Sequence, residues 1–183
     1  WAPIEEIRFR AGFNTAVRAP NIGELFAPRG EGFPGATDPC SASGAGAVST
    51  SAAELAAICQ ATGVPAGSVG SPAIDPASGQ VRAFAGGNPN LKEEEAETFT
   101  IGVVATPTDD ISVSLDYFDI EIEDAISAFG GGANNILATC YDTALPGSGV
   151  GGAFCNAISR RADGTINGIE TASQNVATIT LQG

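Results

Sequence analysis

Apolar and polar residues alternate with a period of two in four segments of the chain, which predicts strands whose two faces meet different surroundings. In the first, near residues 5–17, Ile7, Phe9, Ala11 and Phe13 share one face, and Glu6, Arg8, Arg10, Gly12 and Asn14 share the other. In the second, near 95–106, Phe99, Ile101, Val103 and Ala105 alternate with Thr98, Thr100, Gly102 and Val104 until Pro107 ends the run. The third, near 111–124, sets Ile111, Val113, Leu115 and Tyr117 against Ser112, Ser114 and Asp116. Its phase then reverses, with Phe118, Ile120 and Ile122 opposed by Asp119, Glu121 and Glu123, so a bulge or an exit from the packed zone is expected near residues 117–118. The fourth, near 174–183, places Ala177, Ile179 and Leu181 opposite Thr178, Thr180 and Gln182.

The connections between these segments are unequal. A tight turn at 107–110 joins the second and third, whereas 18–94 and 125–173 are long. Because antiparallel strands alternate in direction, both long connections emerge at one end of the sheet and the short turn at the other. Short helices are expected within them. Asn21 caps one that runs through Leu25 and Phe26 to Pro28. Another spans 51–62, with Ser51 as N-cap, Glu54 at the capping-box position, Leu55, Ile58 and Cys59 on one face, and Gly63 as its stop. A third covers 134–141, after the hinge Gly130-Gly131-Gly132. The Gly/Ala/Ser stretch at 41–51 has the composition of a flexible loop.

Composition narrows the possibilities. With 21 acidic against 8 basic residues and a formal net charge of −13, the chain repels phosphate backbones, which argues against nucleic acid as a partner. Gly, Pro or a charge interrupts each apolar stretch before it reaches the roughly 18 residues of a membrane-spanning helix. The four cysteines fall as Cys40 with Cys59 and Cys140 with Cys155, each pair enclosing one small-residue segment. With no C-x-x-C motif and no histidine, two local disulfides in an oxidising compartment are the simplest reading. Trp1 opens the chain without Met or a leader, so processing or truncation at the start is expected.

Alternating strands with short turns on one side and long loops on the other fit an outer-membrane barrel, in which only a closed sheet satisfies every backbone group in lipid. They fit a soluble exported sandwich comparably well. Longer motifs separate the two. Arg18-Ala19-Pro20-Asn21-Ile22-Gly23-Glu24-Leu25-Phe26 resembles the segment that follows a late barrel strand in TonB-dependent receptors. Gly87-Asn88-Pro89-Asn90-Leu91-Lys92, with Thr98-Phe99-Thr100-Ile101-Gly102 after it, is similar to the segment that opens the next descending strand in that family. Ser114-Leu115-Asp116-Tyr117-Phe118-Asp119-Ile120, followed by Ile126, resembles a further strand. One departure is Glu93, which stands where the family usually has Pro and leaves the strand opening less rigid.

The resemblance implies an all-β fold: antiparallel strands of a transmembrane barrel of about 22 strands, of which this chain supplies about four, with short helices in long extracellular loops. Residues 18–94 and 125–173 would be those loops and 107–110 a periplasmic turn. The plug domain and the TonB box that the family carries are expected to lie outside residues 1–183. The implied partners are outer-membrane lipid, the plug and remaining barrel, the TonB complex, and a small-molecule or oligosaccharide ligand. The implied role is energy-coupled uptake of a bulky, scarce solute (a siderophore, cobalamin or an oligosaccharide) across the outer membrane of a Gram-negative bacterium. A disulfide-stapled soluble sandwich that binds or adheres is the alternative.

Candidate site residues are few. Arg18 and Asn21 are placed to face a ligand at the outer mouth, although fixing the strand-to-loop transition and capping the short helix account for them more simply. Arg8 and Arg10 on the polar face are expected to point into the lumen, paired either with plug carboxylates or with neighbouring strands. Glu93, Glu94, Glu95 and Glu97 lack the alternating Asp/Asn-Gly pattern of a calcium loop and read as a solvated strand entrance, so no metal site is expected. No cofactor motif is present, because no Lys-Ser/Thr follows the triple glycine. With no histidine and with bonded cysteines, no nucleophile–base pair is available, and the chain is not expected to be an enzyme.

Overall fold

The computed structural model describes residues 1–108, 110–176 and 178–183, so Asp109 of the expected turn and Ala177 of the expected fourth strand lie outside the described residues. In chain order the elements are β1 (Ile7–Arg18), α1 (Ile22–Phe26), β2 (Gly30–Gly32), α2 (Ala52–Ala61), β3 (Ala83–Ala85), β4 (Glu94–Thr108), β5 (Ile111–Glu123), β6 (Ile126–Ala128), α3 (Ala133–Tyr141), α4 (Ala153–Asn156), β7 (Ile158–Arg160), β8 (Ile166–Glu170), β9 (Ser173–Asn175) and β10 (Ile179–Gln182). The protein is mostly β with short helices. It divides into two compact units, one made of Trp1–Asn21, Asn90–Ile126 and Asn175–Gly183, the other of Ile22–Pro89 and Ser127–Gln174.

The first unit is an open antiparallel sheet in the order β1-β4-β5-β10. Period-two alternation sets its faces. Ile7, Phe9, Ala11 and Phe13 stand opposite Ala105, Val103, Ile101 and Phe99 of β4, and Val103 and Ile101 in turn stand opposite Leu115 and Tyr117 of β5. Both long connections leave at the end where Arg18 pairs with Glu94 and Glu95 with Glu123.

Two expectations for this sheet need correction. No bulge interrupts β5 at residues 117–118, because the β4–β5 register is continuous from Glu95↔Glu123 to Ala105↔Val113 and shifts only between Ala105 and Thr108, beside the turn. The change of hydrophobic phase is a change of face: Phe118, Ile120 and Ile122 lie on the side opposite Tyr117, where Ile120 and Ile122 meet Leu181 and Ile179 of β10. The fourth segment is also not one strand. Its start, β9, belongs to a separate two-stranded sheet with β6, and only β10 joins β5.

The second unit holds the hydrophobic core. Cys40, Ile58, Cys59, Val64, Ile74, Val81, Ile136, Leu137, Cys140, Tyr141 and Ile169 are buried together. Ser51 caps α2 by accepting from the Glu54 N–H at 3.4 Å, and Ile58 and Cys59 are that helix's buried face. The sequence predicts helices here but not the second four-stranded sheet, β2-β3-β8-β7, in which β3 and β8 run parallel. Far from being a loose loop, 41–51 is tied down. Ser41 donates to the Asp38 carbonyl at 2.8 Å and Ser43 N–H to Asp75 at 2.9 Å, while Ser49 N–H donates to Asp142 at 3.2 Å and Thr50 Oγ1 to the Tyr141 carbonyl at 2.6 Å.

Candidate functional site

In the sheet unit the two faces differ in kind. On one, Phe9, Phe13, Phe99, Ile101, Val113, Leu115 and Tyr117 form an apolar band that is exposed throughout, and Phe13 and Leu115 are 64% and 72% accessible. Beyond that band on the same face come Glu95 opposite Glu123 and Glu97 opposite Glu121. On the other face, Arg10, Gly102 and Asp116 are successive partners across three strands. Because Gly102 has no side chain, the Arg10 guanidinium crosses over β4 and Nε donates to Asp116 Oδ1 at 2.7 Å. A Cβ on Gly102 would lie 1.9 Å from that oxygen.

The sequence candidates separate accordingly. Arg10 pairs with a neighbouring strand's carboxylate, and Arg18 forms an ion pair with Glu94 across β1 and β4. Arg8 is exposed on the same face as Arg10, opposite Val104. Asn21 directly precedes α1 in the chain. The acidic cluster is divided, since Glu94 is committed to Arg18 and its other oxygen accepts from the Ile126 N–H at 2.6 Å, whereas Glu95 and Glu97 face the opposite way.

The second unit is fastened at two cystines and one buried ion pair. Cys40–Cys59 joins the 38–41 turn to α2, and Cys140–Cys155 joins α3 to α4. Between them, Arg160 donates to both oxygens of Asp38, from Nη1 at 2.7 Å and from Nη2 at 2.8 Å, with the two side chains 1% and 0% accessible. Nη1 also donates to the Gly164 carbonyl at 2.7 Å and Nη2 to Tyr141 Oη at 3.0 Å, and Tyr141 Oη lies 2.8 Å from Thr62 Oγ1 at the end of α2. Burial by itself lowers the pKa of Arg160, but the hydrogen bonds and charge of Asp38 outweigh it, so the net shift is upward and the guanidinium stays charged.

Residues that carry the family resemblance also meet in this unit. Gly87 donates to the Ala27 carbonyl at 2.9 Å and Asn88 N–H to the Glu24 carbonyl at 2.8 Å, so Gly87-Asn88 is seated on the end of α1. A Cβ on Gly87 would meet the backbone at Leu25, Phe26 and Ala27 at 2.6 Å. Sequence reasoning picked out both motifs without their contact. It missed the Asp38–Arg160–Tyr141 network, whose ion pair spans 122 positions. One available signal was Asp163-Gly164, a strong hairpin dipeptide, which marks the β7–β8 turn.

A sequence profile for the TonB dependent receptor-like β-barrel matches residues 1–182. The chain belongs to the TonB-dependent receptor β-barrel family. A comparison with curated proteins returned no match. Solved structures similar to it include a variant of the ferric enterobactin receptor PfeA from Pseudomonas aeruginosa bound to enterobactin, at 15% identity and a TM-score of 0.48, covering 100% of this chain and 18% of that one. The siderophore receptor PirA from Acinetobacter baumannii is 16% identical with a TM-score of 0.46, covering 99% and 18%, and PirA from Pseudomonas aeruginosa is 16% identical with a TM-score of 0.48, covering 98% and 21%. The chain therefore spans about a fifth of the length of these receptors. TonB-dependent receptors are transporters of the Gram-negative outer membrane that cross it with strands. Among the described residues no helix is long and apolar enough to cross a membrane, which says nothing of a strand-built barrel.

Proposed function

We propose that this chain is a section of the wall of a TonB-dependent outer-membrane receptor, together with the two outer connections that help capture a bulky, scarce solute for energy-coupled uptake. In this reading the whole barrel has about 22 strands, of which β1, β4, β5 and β10 are four, and the free edges of β1 and β10 pair with strands outside the chain. Residues 18–94 and 125–173 are extracellular and 107–110 periplasmic. The plug and TonB-box segment belong to other parts of the receptor, and coupling to the TonB complex passes through them. Arg18 and Asn21 act at the outer mouth chiefly by holding the strand-to-loop transition, and Arg8 and Arg10 face the lumen. The chemistry is binding and gating, without covalent catalysis.

The observation that carries this reading is the exposed apolar band of Phe9, Phe13, Phe99, Ile101, Val113, Leu115 and Tyr117 on one face of a sheet whose opposite face carries an Arg–Asp pair. A soluble sandwich covers such a band with a second sheet, whereas a barrel presents it to hydrocarbon. The stapled second unit is pre-organised, which lowers the ordering cost of binding a ligand.

Circular dichroism of the isolated chain tests the reading. Secondary structure should consolidate in detergent and not in buffer. Cooperative, detergent-free folding of the sheet to a soluble monomer would overturn it. In cells, the intact receptor should fractionate with the outer membrane, and its uptake should vanish when TonB is deleted.

A further inference from the structure

Among the described residues of the second unit, charge pairing leaves one arginine outside any ion pair. Five of the seven arginines, Arg10, Arg18, Arg29, Arg82 and Arg160, are in ion pairs. Arg161 is in no ion pair among the described residues, although the charge of Asp163 lies near enough to attract it. Its Nη1 donates to the Ile166 carbonyl at 3.2 Å and to Thr165 Oγ1 at 3.4 Å, which holds the planar guanidinium against the β7–β8 turn and leaves Nε and Nη2 without an acceptor among the described residues. Asp163 makes its hydrogen bonds to Thr165, accepting at Oδ1 from the N–H at 2.9 Å and from Oγ1 at 2.6 Å, and makes none to Arg161.

Arg161 lines a cleft of 460 Å³ in the second unit, a volume within the range of small-molecule sites. The cleft has three kinds of wall. Ile74, Pro76, Val81 and Ile166 supply apolar surface, and Phe33, 58% accessible, adds an aromatic ring. Gln80, Ser78 and Thr165 supply neutral donors and acceptors. Asp75 supplies a carboxylate fixed by the Ser43 N–H at 2.9 Å, and Arg82 lies on the wall with its charge engaged by Glu31 at 2.6 Å. The cleft wall thus carries one guanidinium outside any ion pair, Arg161, and one carboxylate, Asp75.

That arrangement selects among solutes. A guanidinium with free Nε and Nη2 matches one carboxylate in a forked geometry. Asp75, within a chain of net charge −13, disfavours a multiply charged anion and favours a neighbour rich in hydroxyl donors. An exposed ring beside aliphatic side chains suits the C–H face of a pyranose. We propose that this cleft is a binding site for a carboxylated sugar, with Arg161 on the carboxylate, Asp75 and Gln80 on hydroxyls, and Phe33 under the ring. The inference rests on the receptor reading and gives its solute a chemical class.

The test uses the intact receptor in detergent micelles, titrated calorimetrically with glucuronic acid and with its methyl ester, which removes the charge and keeps the ring. The acid should bind at least tenfold more tightly than the ester. R161Q should abolish that preference, R161K should keep part of it, and F33A should weaken both ligands alike, each variant retaining the parent's unfolding temperature. Equal binding of acid and ester, or a preference that survives in R161Q, overturns the proposal. If neither ligand binds although the receptor sits in the outer membrane and takes up another solute through TonB, this inference fails and the receptor reading stands. If the protein is not in the outer membrane, both fall.

Discussion

Arg10 on β1 bonds Asp116 on β5 although β4 runs between them, because the β4 residue in that row is Gly102. The three residues act as one unit. G102A should displace the Asp116 carboxylate, since the added Cβ would sit 1.9 Å from it, and should mimic D116N or R10Q. The expected result is non-additivity. In a double-mutant cycle on the intact receptor, read as the temperature at which the folded, fast-migrating band converts to the unfolded one in gels, R10Q in a G102A background should have little further effect. Additive shifts would show that the pair contributes independently of the glycine.

The two sides of β4 should respond oppositely to a charge. V103R places a cation within the apolar band, beside Phe9 and Leu115, and should cost about 2–4 kcal/mol if that row lies near the middle of the membrane. T100R, on the Arg10 face, should be tolerated. Outer-membrane yield and the same gel assay distinguish the two, and equal tolerance at both positions would contradict lipid contact at Val103.

In the second unit, removing one member of the buried pair leaves the other charge unmatched. D38N and R160M should each destabilise by about 3–5 kcal/mol, and Y141F, which deletes a hydroxyl bonded to Arg160 and placed beside Thr62, by about 1 kcal/mol. Limited proteolysis reads this directly. New cleavage should appear within 41–51 and 161–165 for D38N and R160M, with little for Y141F.

Gly87 is predicted to be intolerant even of alanine. Its Cβ would strike the backbone of Leu25, Phe26 and Ala27 rather than a movable side chain, so the cost should be about 1–3 kcal/mol and G87A receptor should accumulate poorly. Normal accumulation would show that α1 shifts away freely.

Acid should loosen the second unit. Asp75 is held below the usual carboxylate range by the Ser41 side chain and the Ser43 N–H, and Asp142 by the N–H groups of Ser49 and Ala144. A pKa depressed in the folded state contributes stability that is fully present above about pH 4 and is lost as pH falls through the depressed value. The unfolding temperature should therefore decline on acidification in the parent and decline less in D75N/D142N. An identical acid limb in both would assign the effect to other carboxylates.

Strands β1, β4 and β5 were legible because each is long and alternates, and Phe99, Ile101 and Val103 fall on the face the pattern gives them. The phase reversal at Phe118 was visible but ambiguous, because a bulge and a change of buried face leave the same trace in sequence. Helix α2 was legible through Ser51, Glu54 and Gly63, which act locally. The second sheet was not. Gly30–Gly32, Ala83–Ala85 and Ile158–Arg160 are too short to show a period, and β3 finds β8 across more than eighty residues. Asp38 and Arg160 each look like an ordinary surface charge until folding pairs them, and Arg161, next in the chain, turns out to be the one that faces a cleft.

The parallel pairing of β3 with β8 joins a strand from the first long connection to one from the second, and the Asp38–Arg160 pair does the same. Neither connection owns a complete core. Transplanting one of them onto another receptor, or deleting one to shrink this protein, would leave half a sheet and an orphaned charge. The two excursions behave as a single heritable cassette, so their sequences should change together, and any graft that keeps them folded has to carry both.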